Sequence, residues 1–116
     1  TYPGAVLYAS GEWVGANRDT AARLARSIVR TLQWMQGHSA EEIAQQTPKD
    51  LRGEDDALYV EALKGSMAMF STDGMMTADG AAAVRTLLAG SMDRVRAATI
   101  DLSKTYTNDL VENAHQ

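Results

Sequence analysis

Residues 17–36, NRDTAARLARSIVRTLQWMQ, carry the most regular pattern in the sequence. Apolar side chains recur there at intervals of three and four residues, which is the period of an amphipathic α-helix. Asn17 is a favoured N-cap residue, and Gly37 is the residue type that most often follows the last turn of a helix. We therefore predict a helix over residues 17–36. Its predicted core face consists of Ala21, Leu24, Ala25, Ile28, Leu32 and Met35.

A capping box opens the next predicted helix. The Ser39 hydroxyl can accept from a backbone N–H of the first helical turn, and the Glu42 carboxylate can accept from the backbone N–H of Ser39. Pro48 ends this helix, because proline disfavours the helical conformation in the residue that precedes it. Residues 49–54 are polar and include a glycine, so we predict a loop there.

A third predicted helix, over residues 55–70, is apolar on two nearly opposite sides. A surface helix normally has one apolar stripe, so a helix with two is expected to be sandwiched between neighbours. The first side comprises Val60, Leu63, Met67 and Phe70, and the second comprises Leu58, Ala62 and Met69.

The remaining residues predict a turn and two further helices. Residues 71–74, with the sequence STDG, have turn composition. Thr77 can cap a helix over residues 78–89, which Gly90-Ser91 would end. We expect its core-facing side to hold Val84, Leu87 and Leu88. Residues 98–106 are predicted to be irregular, and Asn108 can cap a last short helix that extends to Ala114.

A strand is predicted near the start of the chain. Residues 5–9, AVLYA, form a short apolar run between Pro3-Gly4 and Ser10-Gly11, which is typical of a buried strand. Such a strand cannot form a ladder without a partner, and the chain contains no second strand pattern. The predicted fold is therefore mainly α, with four or five helices and one short N-terminal strand. We expect residues 1–116 to be one partial domain whose other strands lie elsewhere.

Composition and charge exclude several classes of protein. Hydrophobic residues make up 45% and charged residues 22%, as in ordinary globular domains. No apolar run approaches the roughly 20 residues of a membrane-spanning helix, so we expect a soluble chain. A net charge of −4 disfavours nucleic-acid binding, and the absence of cysteine excludes disulfides and thiolate metal sites. The start Thr1-Tyr2-Pro3-Gly4 has no leader pattern, which suggests a processed product or an excised segment.

No catalytic pattern is present in the sequence. His38 and His115 are far apart and lack a second metal ligand at the usual spacing, so we expect both at the surface near helix ends. The acidic residues Glu54, Asp55 and Asp56 fit a helix start better than a pair of acid/base groups. We expect no catalytic residues, no metal site and no cofactor, and therefore not an enzyme.

Three arginines and a tryptophan form the most distinctive surface pattern. Arg23, Arg26 and Arg30 lie opposite the predicted core face, and Trp34 follows Arg30 by one helical turn. One interpretation is a solvated face with a cation–π contact between Arg30 and Trp34. The other is a docking face for a partner, because an exposed tryptophan beside arginines is a common interface anchor.

The order of these elements resembles a family of transport proteins. The strand VLYAS is followed by GEWVGANRDTAARLARSIVRTLQWMQGHSAEEIAQ, then by a helix leading to MFSTDG, and finally by IDLSKTYTNDLVENA. This order is similar to the C-terminal region of the nitrate/sulfonate/taurine-type periplasmic solute-binding proteins of ABC importers, a group that includes pyrimidine-precursor binding proteins. The likeness covers nearly the whole chain. Many relatives have proline where this chain has Arg18.

The resemblance implies a parent protein of two α/β lobes, of the type II periplasmic-binding-protein class, that close on a small solute. It implies a periplasmic location, an ABC permease as partner and a solute such as a sulfonate, nitrate or taurine. The ligand-binding residues stay unknown, with Thr1, Tyr2 and Ser10 as weak candidates near the cleft. An isolated segment of this kind would favour self-association through its uncovered apolar faces.

Two other functions stay open on the sequence. The first is a stand-alone helical protein-interaction module that uses the face with the arginines and Trp34. The second is part of a pyrimidine-precursor binding or synthesis protein of the same fold.

Overall fold

The computed structural model describes residues 2–115 and is mainly helical. Eight α-helices and two 3₁₀ turns occur within these residues. The longer helices are α2 (Arg18–Gln36), α5 (Asp56–Ser66) and α6 (Ala78–Ser91). The 3₁₀ turns cover Met67–Met69 and Leu102–Lys104. The shorter helices are α1 (Gly11–Ala16), α3 (Ala40–Gln46), α4 (Lys49–Arg52), α7 (Asp93–Ala97) and α8 (Asp109–Glu112).

The chain divides into two compact units. The first unit contains Thr1–Arg26 and Met75–Gln116, and the second contains Ser27–Gly74. The first unit is therefore built from two separate stretches of sequence, whereas the second is continuous. The prediction of one partial domain over residues 1–116 stays a prediction.

The predicted N-terminal strand is not formed. Residues 2–10 have no regular secondary structure, and the structure contains no strand within the residues that it describes. The physical reason is the one expected from the sequence, since a strand is stabilised by hydrogen bonds to a neighbouring strand. Val6, Leu7 and Tyr8 are exposed, and Tyr8 retains 89% of its accessible surface.

The ends of α2 agree with the prediction, but Asn17 acts differently. Its backbone carbonyl accepts from Ala21 N–H at 2.9 Å, as the residue before a helix should. Its side-chain amide instead donates to the carbonyl of Trp13, a residue within α1, at 3.0 Å. Asn17 thus caps the preceding helix with its side chain and precedes α2 with its backbone.

The core face of α2 is rotated from the predicted one. Ala21, Ala25 and Val29 are buried, and Val29 is only 1% exposed. Leu24 and Ile28, which were predicted to face the core, are exposed. The apolar stripe of this helix is wider than the surface that neighbours cover, so one edge of the stripe faces solvent.

The predicted capping box of α3 is confirmed. Ser39 Oγ accepts from Glu42 N–H at 3.2 Å, and Glu42 Oε2 accepts from Ser39 N–H at 2.8 Å. The predicted loop over residues 49–54 is partly wrong, because it contains the single turn α4. Gly53 follows this turn with a φ of +75°, a conformation that glycine adopts readily.

The second unit has a small core between α3 and α5. Ala40, Ile43 and Leu63 are buried there, and four half-buried side chains pack against them: Met35, Tyr59, Val60 and Met67. On the surface of the same pair of helices, Lys64 Nζ lies 2.7 Å from Glu41 Oε1 and 3.3 Å from Glu61 Oε1. The core of this unit is thus accompanied by an exposed ion cluster.

Only one of the two predicted apolar sides of α5 is covered, and its last member, Phe70, is exposed. The Asp55 carboxylate caps the helix by accepting from Leu58 N–H at 3.0 Å, and a 3₁₀ turn replaces the expected last helical turn. The opposite side is exposed, including Leu58 at 67% and Met69 at 83%. The prediction that this helix is sandwiched is therefore wrong for the described residues.

In the first unit, α6 begins as predicted. Thr77 Oγ1 accepts from Gly80 N–H at 3.0 Å. Gly80 and Ala81 are the buried residues of this helix, and a Cβ on Gly80 would lie only 3.0 Å from Thr77 Oγ1. Leu87 and Leu88 are exposed, so their predicted position in the core is wrong. The helix also continues through Gly90 to Ser91.

Asn108 makes a long-range contact in place of the predicted cap. Its Oδ1 accepts from Met76 N–H and its Nδ2 donates to the Met76 carbonyl, both at 2.9 Å. No side-chain cap bond forms at the start of α8. The amide satisfies both backbone groups of Met76, so the carboxamide links residues 32 positions apart. The region predicted to be irregular contains the short 3₁₀ turn at Leu102–Lys104.

Candidate functional site

An open groove lies in the second unit. Its volume is about 680 Å³. One wall is formed by the end of α2 and by His38, which lies two residues beyond the helix. The other wall is formed by one face of α3. The lining residues are Thr31, Trp34, His38, Glu42, Gln45 and Gln46.

An aromatic stack forms one wall of the groove. The rings of Trp34 and His38 are stacked, with centroids 4.1 Å apart and planes inclined by 22°. His38 Nδ1 lies 2.6 Å from the Trp34 carbonyl oxygen, so Nδ1 carries the proton that it donates there. This leaves His38 Nε2 as the second polar atom of the ring. The stack fixes both side chains and so holds the wall in place.

Polar groups of α3 form the other wall. Glu42 uses Oε2 in the capping box, which leaves its second carboxylate oxygen for other contacts. Gln45 and Gln46 are exposed and each supplies an amide donor and an amide acceptor. Thr31 donates its hydroxyl hydrogen to the Ser27 carbonyl at 2.9 Å. These groups can stack against and hydrogen-bond a partner, which is the chemistry of binding.

The predicted basic face of α2 is present and partly paired. Arg23 forms an ion pair with Asp19 at 2.8 Å. Arg26 and Arg30 are exposed, and neither takes part in the ion pairs of the described residues. The expected cation–π contact is not formed, since Trp34 stacks on His38 and not on Arg30. Arg30 therefore remains available to a partner.

The ion cluster between α3 and α5 shifts the pKa values of two members. The hydrogen bond from Lys64 lowers the pKa of the Glu41 carboxyl below its ordinary value. The hydrogen bonds to Glu41 and then to Glu61 raise the pKa of the Lys64 ammonium group. Both shifts favour the charged forms, and all three side chains are exposed enough for solvent to weaken them.

Two of the weak ligand candidates from the sequence, Tyr2 and Ser10, do not line the groove. Ser10 caps α1 by accepting from Trp13 N–H at 3.1 Å, and Tyr2 is exposed. Thr1 lies outside the described residues. The groove was not predicted from the sequence, although Thr31 and Trp34 on α2 and His38 just beyond its end are spaced by three and four residues. Glu42, Gln45 and Gln46 are spaced by three and four residues on α3, which was a second signal of the groove in the sequence.

The histidines among residues 2–115 form no metal site. His38 lies at a helix end, as expected, and His115 is exposed near the end of the chain. No group of three histidine or acidic residues is arranged to hold a metal ion within this range. None of the helices described combines the length and the apolar character needed to cross a bilayer.

Comparison of the chain with protein-family models, curated proteins and solved structures finds no match. The resemblance to solute-binding proteins therefore stays a prediction from the sequence.

Proposed function

We propose that this chain is a segment of an extracytoplasmic solute-binding protein that delivers a small solute to an ABC importer. The parent would be an α/β protein of two lobes, in which residues 5–9 complete a sheet. The solute would be a sulfonate, nitrate, taurine or a similar small molecule. The candidate contacts near the cleft are Tyr2 and Ser10, together with Thr1.

The observation that carries this proposal is the exposure of the apolar segment near the start of the chain. Val6, Leu7 and Tyr8 face solvent in a stretch without regular secondary structure. Their composition is that of a buried strand, and an exposed contiguous apolar surface normally belongs to an interface. A sheet supplied by another part of a larger protein would cover these side chains and pair their backbone groups.

The uncovered side of α5 supports the same proposal. Leu58, Ala62 and Met69 were expected to contact a neighbour, yet they are exposed here. Apolar surface on a helix is stabilising only when something covers it. In a two-lobe parent, further helices or strands could supply that cover.

Hydrogen exchange tests the strand directly. The longest product of the gene and the 116-residue chain are compared by exchange of the backbone amides in residues 5–9. We expect slow exchange in the longer product, because ladder hydrogen bonds protect amides, and fast exchange in the shorter chain. Fast exchange in both would contradict the proposed strand.

Solute binding is tested separately on the longer product. Calorimetric titration with nitrate, taurine, an alkanesulfonate and a pyrimidine precursor is expected to give saturable binding of one of them. Replacing Tyr2 by alanine should weaken that binding if Tyr2 lines the cleft. Absence of binding to every member of the panel would count against the transport function, while protected amides alone would leave the fold assignment standing.

A stand-alone interaction module is the second candidate function. It is favoured by the exposed Arg30 next to the Trp34–His38 stack, because tryptophan and arginine dominate many protein interfaces. This alternative predicts that the 116-residue chain is a stable monomer that binds a protein partner without residues 5–9. Deleting residues 2–9 would then leave both stability and partner binding unchanged.

A further inference from the structure

We propose that the groove of the second unit binds a small organic cation that carries N–H groups, such as an alkylammonium or a guanidinium. The volume of the groove, about 680 Å³, lies within the range of small-molecule sites. All of its lining residues belong to the second unit, and neither Tyr2 nor Ser10 is among them. The proposal therefore does not depend on the solute-binding function or on a longer parent protein.

The formal charge of the groove is negative. Glu42 is the charged side chain that lines it, and no lysine or arginine lines it within residues 2–115. Glu42 belongs to none of the ion pairs formed among these residues. Its Oε2 accepts from Ser39 N–H, but a carboxylate has about four acceptor positions on its two oxygens. A bound cation would neutralise this charge, whereas nitrate or a sulfonate would be repelled by it.

Hydrogen-bond donors within the groove are already in use. Thr31 donates its only hydroxyl hydrogen to the Ser27 carbonyl at 2.9 Å, so its oxygen can only accept further bonds. His38 donates from Nδ1 to the Trp34 carbonyl, so Nε2 of the neutral ring is an acceptor. The carboxylate of Glu42 also only accepts. A ligand that satisfies these three groups must supply the hydrogens, as an ammonium or a guanidinium does.

The aromatic wall and the end of α2 add to the preference for a cation. Trp34 is 38% exposed and lines the groove, and an indole ring attracts cations more strongly than other aromatic rings do. Its stack on His38 holds it in place, so little entropy is lost on binding. The 19-residue helix α2 has no basic residue in its last turn, so its own side chains leave the partial negative charge of its C-terminal end uncompensated.

NMR titration of the chain with the diamine putrescine at neutral pH tests this proposal. Both amino groups of the diamine are protonated there, as a lysine side chain is. Trp34 and Trp13 are 38% and 39% exposed, and only Trp34 lines the groove. Their indole N–H signals, assigned from Trp34→Leu and Trp13→Leu variants, are thus a reporter and its matched control. We expect a saturable shift of the Trp34 signal and no shift of the Trp13 signal.

Two other ligands separate the requirement for charge from the requirement for N–H groups. The diol of the same chain length has no charge and should not bind. Tetramethylammonium has the charge but no N–H, so it can contact the indole and the carboxylate without satisfying the acceptors. We expect it to bind more weakly than the diamine.

Two variants test the role of the carboxylate. Glu42→Gln keeps an acceptor for Ser39 N–H, so the cap of α3 is retained while the charge is lost. It should weaken binding of the diamine about fivefold, as expected for loss of one solvent-exposed ion pair. Glu54→Gln makes the same change at an exposed position outside the groove and should leave binding unchanged.

Several outcomes of these titrations would overturn the proposal. The first is the absence of a saturable shift at Trp34, and the second is an equal shift at Trp13. Binding of the diol or of tetramethylammonium as tightly as the diamine would also contradict it. So would a Glu42→Gln variant that binds the diamine like the wild type.

Discussion

At the scale of single residues, Asn108 shows how a tertiary contact can replace a local one. Asparagine is a good helix cap, and the sequence before α8 therefore predicted a cap. The structure uses the same carboxamide to satisfy the N–H and the carbonyl of Met76. Nothing in the residues near position 108 indicates this partner, which is why sequence reasoning could not find it.

Substitution of Asn108 should be destabilising. Asn108→Ala leaves both backbone groups of Met76 without their partner in a half-buried place, so we expect a loss of about 1–3 kcal/mol in unfolding free energy. Asn108→Asp keeps the acceptor and loses the donor, so its loss should be smaller at low pH than at neutral pH, where the carboxylate faces a carbonyl. Urea denaturation measures both. Asn113→Ala, at an exposed position, is the control and should change little.

Glu41 predicts a dependence of stability on pH. Its pKa is lowered in the folded state by Lys64, so the ionised carboxylate stabilises the fold above the ordinary glutamate pKa of about 4.3. This contribution is lost as the pH falls through the lowered pKa. We therefore expect Glu41→Gln to be less stable than the wild type at pH 7 and to approach it in acid.

Chemical denaturation across a pH series checks this expectation, with Glu12→Gln as the control outside the cluster. The contribution of Lys64 to stability depends on pH in the opposite direction, because the pKa of its ammonium group is raised in the folded state. Its contribution is present below the ordinary lysine pKa and disappears as the pH rises through the raised value. A Glu41→Gln difference that is constant from acid to neutral pH would show that the ion pair contributes nothing.

At the scale of helices and turns, the residues at which helices begin were predicted more accurately than the sides that the helices bury. Capping depends on a few adjacent residues, so the capping box of Ser39 with Glu42 and the cap Thr77 were found from the sequence. Which edge of an apolar stripe is covered depends on neighbours that the local pattern does not specify. Leu24 and Ile28 were therefore assigned to the core wrongly, and the groove on the side of Trp34 was missed.

The capping box gives a prediction at this scale. Ser39→Ala removes the acceptor for Glu42 N–H and should cost about 1 kcal/mol of unfolding free energy. Glu42→Gln preserves an acceptor for Ser39 N–H and should cost less. Thermal melts by circular dichroism compare the two. Equal losses would mean that the charge of Glu42, rather than its hydrogen bond, stabilises α3.

At the scale of the whole molecule, the mainly helical class is confirmed, whereas no strand is formed within residues 2–115. The helices are stabilised by hydrogen bonds within each segment, so their sequence is sufficient to indicate them. A strand requires a partner at a distance, and residues 5–9 have none among residues 2–115. The solute-binding cleft stays a proposal.

Polar substitutions in residues 5–9 separate a strand from a free segment. Val6→Ser combined with Leu7→Ser should change the stability of the 116-residue chain by no more than about 0.5 kcal/mol, since both side chains are exposed. In a longer product that uses the segment as a buried strand, the same pair should be strongly destabilising. Urea unfolding of both forms measures the difference, and equal small effects would argue against a buried strand.

The division of the chain into a continuous unit and an interrupted one has a consequence for biosynthesis. Residues 27–74 can acquire their contacts as soon as that stretch has left the ribosome. The segment that precedes residue 27 must wait for partners that are translated after residue 74, and the link from Met76 to Asn108 forms later still. Val6, Leu7 and Tyr8 would thus stay exposed to solvent while the second unit folds.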